Sequence, residues 1–278
     1  MLQHLQLSYR RTQISLLSAG NRSVLTFQMA LIGSNTLDLK GMRKPYKDKT
    51  EVFLEKDLIS KNPFHVFTDW FKQACNGDIH EPNAMCLSTV SKSGQPSARY
   101  VLLKGYGEDG FQFYTNYGSR KGKDLEENPK ASLTFFWESL RRQIRIEGVV
   151  EKLSEKESED YFHSRPRPNQ ISALCSHQSS IIPNREFLIE KETILNEKYK
   201  DESIPIPKPD YWGGFQLKPE WIEFWQGQSD RLHDRIVFRR QEPNENLMVN
   251  WCMPEKMDGY IKDYLLEILG LRLIMIKF

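Results

Sequence analysis

The sequence predicts a mainly β protein with flanking helices (α+β), built on a small antiparallel barrel, and three observations carry that expectation. Short apolar or alternating runs recur between residues 84 and 150, separated by tight turns rich in Gly and Asn. At least five such strands follow one another, enough to close a small barrel. There is no parallel βαβ alternation and no internal repeat, which disfavours a doubly wound sheet.

Taken in order, Asp57 to Cys75 reads as a helix region with Phe64, Phe67, Trp70 and Phe71 at helical spacing, an aromatic face suited to a core. Strands are expected at Ala84–Val90, Ser97–Lys104 and Phe111–Thr115, joined by turns at Ser93-Gly94 and Gly105–Gly110. Ser119–Asn128 is a short helix that Asn128-Pro129 ends before a strand over Ala131–Trp137. Arg142–Val150 alternates, with Gln143, Arg145 and Glu147 on one face and Ile144 and Ile146 on the other. Ser154-x-x-Glu157 is a capping box opening a helix that carries Tyr161 and Phe162, and the run Arg165-Pro166-Arg167-Pro168 ends it. A further helix over Asn184–Lys200 leads through a Pro-rich connector to strands at Gly214–Leu217 and Trp221–Trp225.

Composition limits the function classes. The chain of 278 residues is 39% apolar, enough for one good core, and a net charge of +2 supplies no basic field for nucleic acid. Cys75, Cys86, Cys175 and Cys252 are widely separated, so neither a metal module nor a disulfide scaffold is expected. No apolar run reaches the roughly 18 residues of a membrane helix. The first 37 residues hold Arg10, Arg11 and Arg22 and no acid, a composition shared by transit peptides and by plain disordered extensions. A cytoplasmic location is therefore expected, with mitochondrial import as the alternative. The chain divides into an N-terminal extension (1–41), a central domain (42–240) and a tail (241–278).

Several cationic groups could hold anions. Extended chain from Arg231 would project Arg231, His233 and Arg235 together, two guanidiniums flanking an imidazole. Arg99 and Lys104 bracket an apolar strand, and Arg120-Lys121 open a helix whose terminal amides favour phosphate; the alternative for Arg120, Lys121 and Lys123 is a solvated helix face. A second basic group, His163, Arg165 and Arg167, follows Tyr161, and Ser176–Ser180 adds hydroxyl and amide donors. Two anion sites in one barrel imply two phosphorylated ligands. No catalytic-triad order, Walker loop or GxGxxG fingerprint occurs, which leaves a site suited to an organic cofactor that performs the hard chemistry.

Seven motifs make the pattern specific: PSARYVLLKG at 96–105, FYTN at 113–116, SRKGKDL at 119–125, RQIRIEG at 142–148, YFHSRPR at 161–167, SHQSS at 176–180, and EFWQGQ with RLHDRIVF within 223–238. Together they resemble the pyridoxine (pyridoxamine) 5'-phosphate oxidase family. The resemblance implies an FMN-binding split β-barrel homodimer that oxidises phosphorylated B6 vitamers with molecular oxygen, releasing hydrogen peroxide and, from the amine, ammonia. It implies an FMN set of Arg99, Tyr100, Val101, Leu102, Tyr114, Thr115, Arg120, Lys121, Gln143, Gln178, Ser179, Trp225 and Arg235. It implies a substrate set of Lys104, Tyr161, Arg165, Asn169, Arg231, Leu232 and His233, with Arg231 and His233 at the reacting carbon. Asn169 stands where the family commonly has Ser, and the family's ending, a Trp followed by Arg-Leu-x-Pro, is not reproduced after Arg240. The competing reading is a non-catalytic flavin-binding barrel or a weakly active isoform.

Overall fold

A computed structural model describes residues 53–228 and 233–240, and the backbone of three short strand segments outside them. Leu31–Ile32 (β1) and Thr36–Leu37 (β2) form a two-stranded antiparallel sheet of their own, Leu31 opposite Leu37. The rest of the N-terminal extension, like the tail apart from Glu255–Lys256, lies outside the described residues.

The first helix, Pro63–Asn76 (α1), starts later than its periodicity suggests because the Asn62 side chain caps it, accepting from Phe64 N, and Pro63 occupies the first turn. Four strands follow: Ala84–Val90 (β3), Pro96–Leu102 (β4), Gly105–Gly107 (β5) and Gly110–Asn116 (β6). Ser119 caps the short helix Arg120–Glu127 (α2), accepting from Gly122 N. Lys130–Trp137 (β7) and Arg142–Lys152 (β8) continue the sheet, with Ile144 and Ile146 buried and Gln143, Arg145 and Glu147 on the opposite face, as their alternation requires. The capping box of Ser154 and Glu157 opens Glu155–Ser164 (α3).

Three differences from the sequence reading bear on the site. Arg167–Cys175 (α4) is a helix that was not expected: the Pro pair ends α3 as read from the sequence, and Pro168 then sits in the first turn of α4, where a missing N–H costs nothing. Glu186–Lys198 (α5) then leads to Trp212–Gln226 (β9), one 15-residue strand where two were expected. Pro219 is accommodated by a register shift opposite Glu147/Gly148, so it interrupts the ladder without ending the strand. Asp234–Arg239 (β10) starts after His233, and Glu255–Lys256 (β11) gives it a short antiparallel partner, with Val237 opposite Glu255.

The sheet runs β11-β10-β9-β8-β7-β3-β4, and β9 also pairs with β6, which pairs with β5. Six strands thus curl in the order β4-β3-β7-β8-β9-β6, and no ladder joins β4 to β6 among the described residues. The barrel is split there. Its interior is filled by α1: Phe67 meets Phe111 edge-on at 5.0 Å and Phe135 at 5.5 Å, and Trp70 meets Phe224 at 5.3 Å. A smaller cluster of Phe162, Ile171, Cys175, Tyr199, Ile206 and Trp212 packs α3 and α4 against the start of β9. No helix among the described residues is long and apolar enough to cross a membrane.

Candidate functional site

The split between β4 and β6 opens into a cavity of about 690 Å³. Arg99–Leu102 of β4, Tyr114 and Thr115 of β6, Arg120 and Lys121 at the start of α2, and Gln178 and Ser179 line it together with Lys104, Tyr161, Arg165 and Asn169. Residues expected to hold two different ligands are thereby brought to one cavity. Its lining includes five cations, Arg99, Lys104, Arg120, Lys121 and Arg165, and no carboxylate.

Each cation is placed by an identifiable device. Arg99 Nη1 donates to Thr89 Oγ1 at 2.7 Å and Nη2 to Ser97 Oγ at 2.7 Å, with the buried Asp124 carboxylate 3.8 Å from Nη2. Asp124 in turn accepts from Thr89 at 2.7 Å, so a three-residue network behind the cavity wall fixes the guanidinium. Lys121 Nζ donates to Thr115 Oγ1 at 3.1 Å and to Gln178 Oε1 at 2.9 Å. Burial, and after it the neighbouring Arg99 charge, push the Lys121 ammonium down to about 8. Ser179, in the left-handed region at φ 72°, accepts from Arg120 N at 3.2 Å and so ties its loop to the start of α2.

Also in the cavity lining, the Tyr114 and Tyr161 rings stack at 3.8 Å, and Trp212 lies parallel to both. The Arg165 guanidinium sits 4.7 Å over Trp212, and its buried Nη1 has no hydrogen-bond partner. Burial lowers the Arg165 pKa, with Tyr161 opposing the shift, and it raises Tyr114 to about 12. His163 and Arg167, grouped with Arg165 by sequence, go elsewhere: the His163 ring reaches Ile206 O at 3.1 Å, and Arg167 donates to Tyr199 O at 2.7 Å. Trp212 was missed because the expected strand began only at Gly214, two residues after it, whereas β9 starts at Trp212 itself. The available signal was Gly213-Gly214 beside it, where a Cβ would come within 2.1 Å of the Tyr117 hydroxyl and 2.5 Å of Leu153.

The remaining predicted residues form a second group. Gln143, Trp225 and Arg235 stand in register across β8, β9 and β10, on the face opposite Ile144, Phe224 and Ile236. The His233 ring lies 4.8 Å from that of Trp225. Arg231 and Leu232 lie outside the described residues. None of the group lines the cavity. Trp225 is eleven residues further along β9 than Gly214, the partner of Tyr114, which is roughly 36 Å of extended chain. Between the rows, Glu223 is buried with Arg235 Nε at 3.4 Å and Arg145 Nη1 at 3.7 Å; burial raises its pKa, and the two guanidiniums oppose that.

Comparison with known proteins decides the family. Residues 71–191 match the family described as pyridoxamine 5'-phosphate oxidase, and residues 212–254 match the pyridoxine 5'-phosphate oxidase C-terminal dimerisation region. A Bombyx mori protein named pyridoxine/pyridoxamine 5'-phosphate oxidase is 55% identical over 86% of this chain and 93% of its own length. The chain belongs to the pyridoxine/pyridoxamine 5'-phosphate oxidase family. A Bos taurus pyridoxine-5'-phosphate oxidase is 56% identical over 73% of this chain and 78% of its own. The crystal structure of PhzG from Burkholderia lata 383 superposes with a TM-score of 0.68 at 28% identity, covering 76% of this chain and 98% of that one. For this family member, the resemblance read from the seven motifs and the split-barrel expectation both hold.

The residues present fit a phosphorylated flavin. A cavity with five cations and no acid calls for anions, and the unpartnered Arg165 Nη1 calls for an acceptor the protein itself does not supply.

Proposed function

We propose that this chain is an FMN-dependent oxidase that converts pyridoxine 5'-phosphate and pyridoxamine 5'-phosphate to pyridoxal 5'-phosphate with molecular oxygen, and that it works as a homodimer. The observation that carries the proposal is the carboxylate-free cationic cavity, which gathers Lys121, Arg99 and Arg120 with Arg165 and Lys104.

Bound FMN supplies the two-electron acceptor, and its reoxidation by oxygen gives hydrogen peroxide. The protein's part is to bind, orient and exclude water. Arg99, Arg120, Lys121, Gln178 and Ser179 hold the cofactor phosphate through charge-assisted bonds. Arg165, Lys104, Tyr161 and Asn169 hold the vitamer phosphate, and this contact sets the distance from phosphate to reacting carbon. Arg231 and His233 orient that carbon. Gln143, Trp225 and Arg235 do not line the cavity of their own chain, so a second copy brings its row over the cavity of the first. A twofold arrangement makes two equivalent sites of this kind.

The test is stoichiometric. With pyridoxamine 5'-phosphate, the purified chain should release one pyridoxal 5'-phosphate, one ammonia and one hydrogen peroxide per oxygen consumed. Oxygen consumption without pyridoxal 5'-phosphate would contradict the assignment.

A further inference from the structure

We propose that Gln228 is a positioning residue for His233, presenting it to the substrate as a neutral imidazole that carries its proton on Nε2. This rests on the placement of His233 at the reacting carbon made above. The Gln228 backbone N–H donates to His233 Nδ1 at 3.0 Å. A peptide N–H has no lone pair, so Nδ1 must offer one, and the ring's single proton then sits on Nε2. Protonating Nδ1 would set N–H against N–H.

Gln228 is held so that it keeps this role. It is buried, and its side-chain Nε2 donates to Asp234 Oδ2 at 2.8 Å. The same Asp234 oxygen accepts from Phe53 N at 3.0 Å, and Gly227 N donates to Arg141 O at 2.8 Å, so both ends of the Gly227-Gln228 step are fixed to the sheet. Trp225 flanks the imidazole at an angle of 51°. Among the described residues, the charged groups on the elements packed around it are Asp234 and Arg235 of β10, Glu223 of β9, Arg142 of β8 and Arg141 just before it. A ring held in this way donates through Nε2 and has no free lone pair with which to abstract a proton. His233 therefore acts toward the vitamer as a hydrogen-bond donor and not as a general base.

The experiment is long-range proton–nitrogen correlation on the nitrogen-labelled, FMN-loaded full chain without vitamer, near neutral pH. The His233 signals are assigned by their loss in His233→Gln. A lone-pair Nδ1 and a protonated Nε2 are expected. Gln228→Met keeps the side-chain size and loses the donor to Asp234; it should give mixed tautomers and lower kcat more than it raises KM. A proton on Nδ1, or a doubly protonated ring, in the unmodified protein overturns the proposal whether or not Gln228→Met folds. An unchanged tautomer in a folded Gln228→Met removes the role of Gln228. If the tautomer is as expected but His233→Gln reduces its flavin at the unmodified rate, the positioning stands and the placement of His233 at the reacting carbon falls.

Discussion

Arg165→Ala should separate substrate affinity from stability, weakening the first without lowering the second. In the ligand-free chain, the Arg165 guanidinium lies over Trp212 with Nη1 buried and unpartnered, a state that costs roughly 1–3 kcal/mol in an ordinary protein interior. Bound vitamer phosphate would supply the missing acceptor. Removing one partner of such a charge pair costs about 2–5 kcal/mol, and at about 1.4 kcal/mol per tenfold this becomes a KM raised from about 30-fold to a few thousandfold. The variant avoids desolvating the cation, so its ligand-free melting temperature should stay level or rise. KM for pyridoxine 5'-phosphate, measured by peroxide release, and a melting curve check both halves. A KM that rises equally for unphosphorylated pyridoxine would refute the phosphate contact, because that substrate has nothing for Arg165 to hold.

Other expectations follow from the same geometry. Lys121, lowered to about 8 from an ordinary 10.5, is neutral in the folded chain but charged in the unfolded chain between those values; ligand-free stability should therefore rise with pH across that window, while FMN retention weakens above about pH 8 as the phosphate loses a cation. Lys121→Met should flatten both trends, as read by melting curves and flavin fluorescence; a pH dependence identical to that of the unmodified chain would contradict the assignment. Gly110→Ala should lower the melting temperature by about 5 °C or more, because φ is 135° and a Cβ would lie 2.2 Å from Leu217 O; an unchanged melting temperature would mean that the β6–β9 ladder is looser than described. Arg165→Ala and Arg235→Ala chains, each turning over little alone at a pyridoxine 5'-phosphate concentration near the unmodified KM, should recover about a quarter of full activity there when unfolded and refolded together, since half the dimers are mixed and each carries one intact site. No recovery would place both residues in one chain's site.

The barrel was legible in the sequence because its strands alternate or run apolar between strong turn signals, so β3 and β7 fall within one residue of expectation. What was missed lies just beyond correct readings: the Arg165–Pro168 run ends α3 as expected but Pro168 also sits in the first turn of α4, and the two strands expected at 214–217 and 221–225 are one, with Pro219 at a register shift within it. The site followed the same division. Arg99, Arg120, Lys121 and Arg165 could be grouped from motif order, and they do line one cavity, whereas the separation of Arg165 from His163 and Arg167 depends on the backbone carbonyls that the 199–206 connector brings into reach. Asp124 could not be found at all, since a helix carboxylate beside Lys123 and Glu126 looks solvated until β3 and β4 bury it.

The most direct test of the account is anaerobic. The purified full chain should be yellow, should bleach when pyridoxamine 5'-phosphate is added without oxygen, and should regain its colour with one peroxide per flavin when air is admitted. A colourless protein that takes up no FMN, or a yellow one whose spectrum the vitamer leaves unchanged, would contradict it.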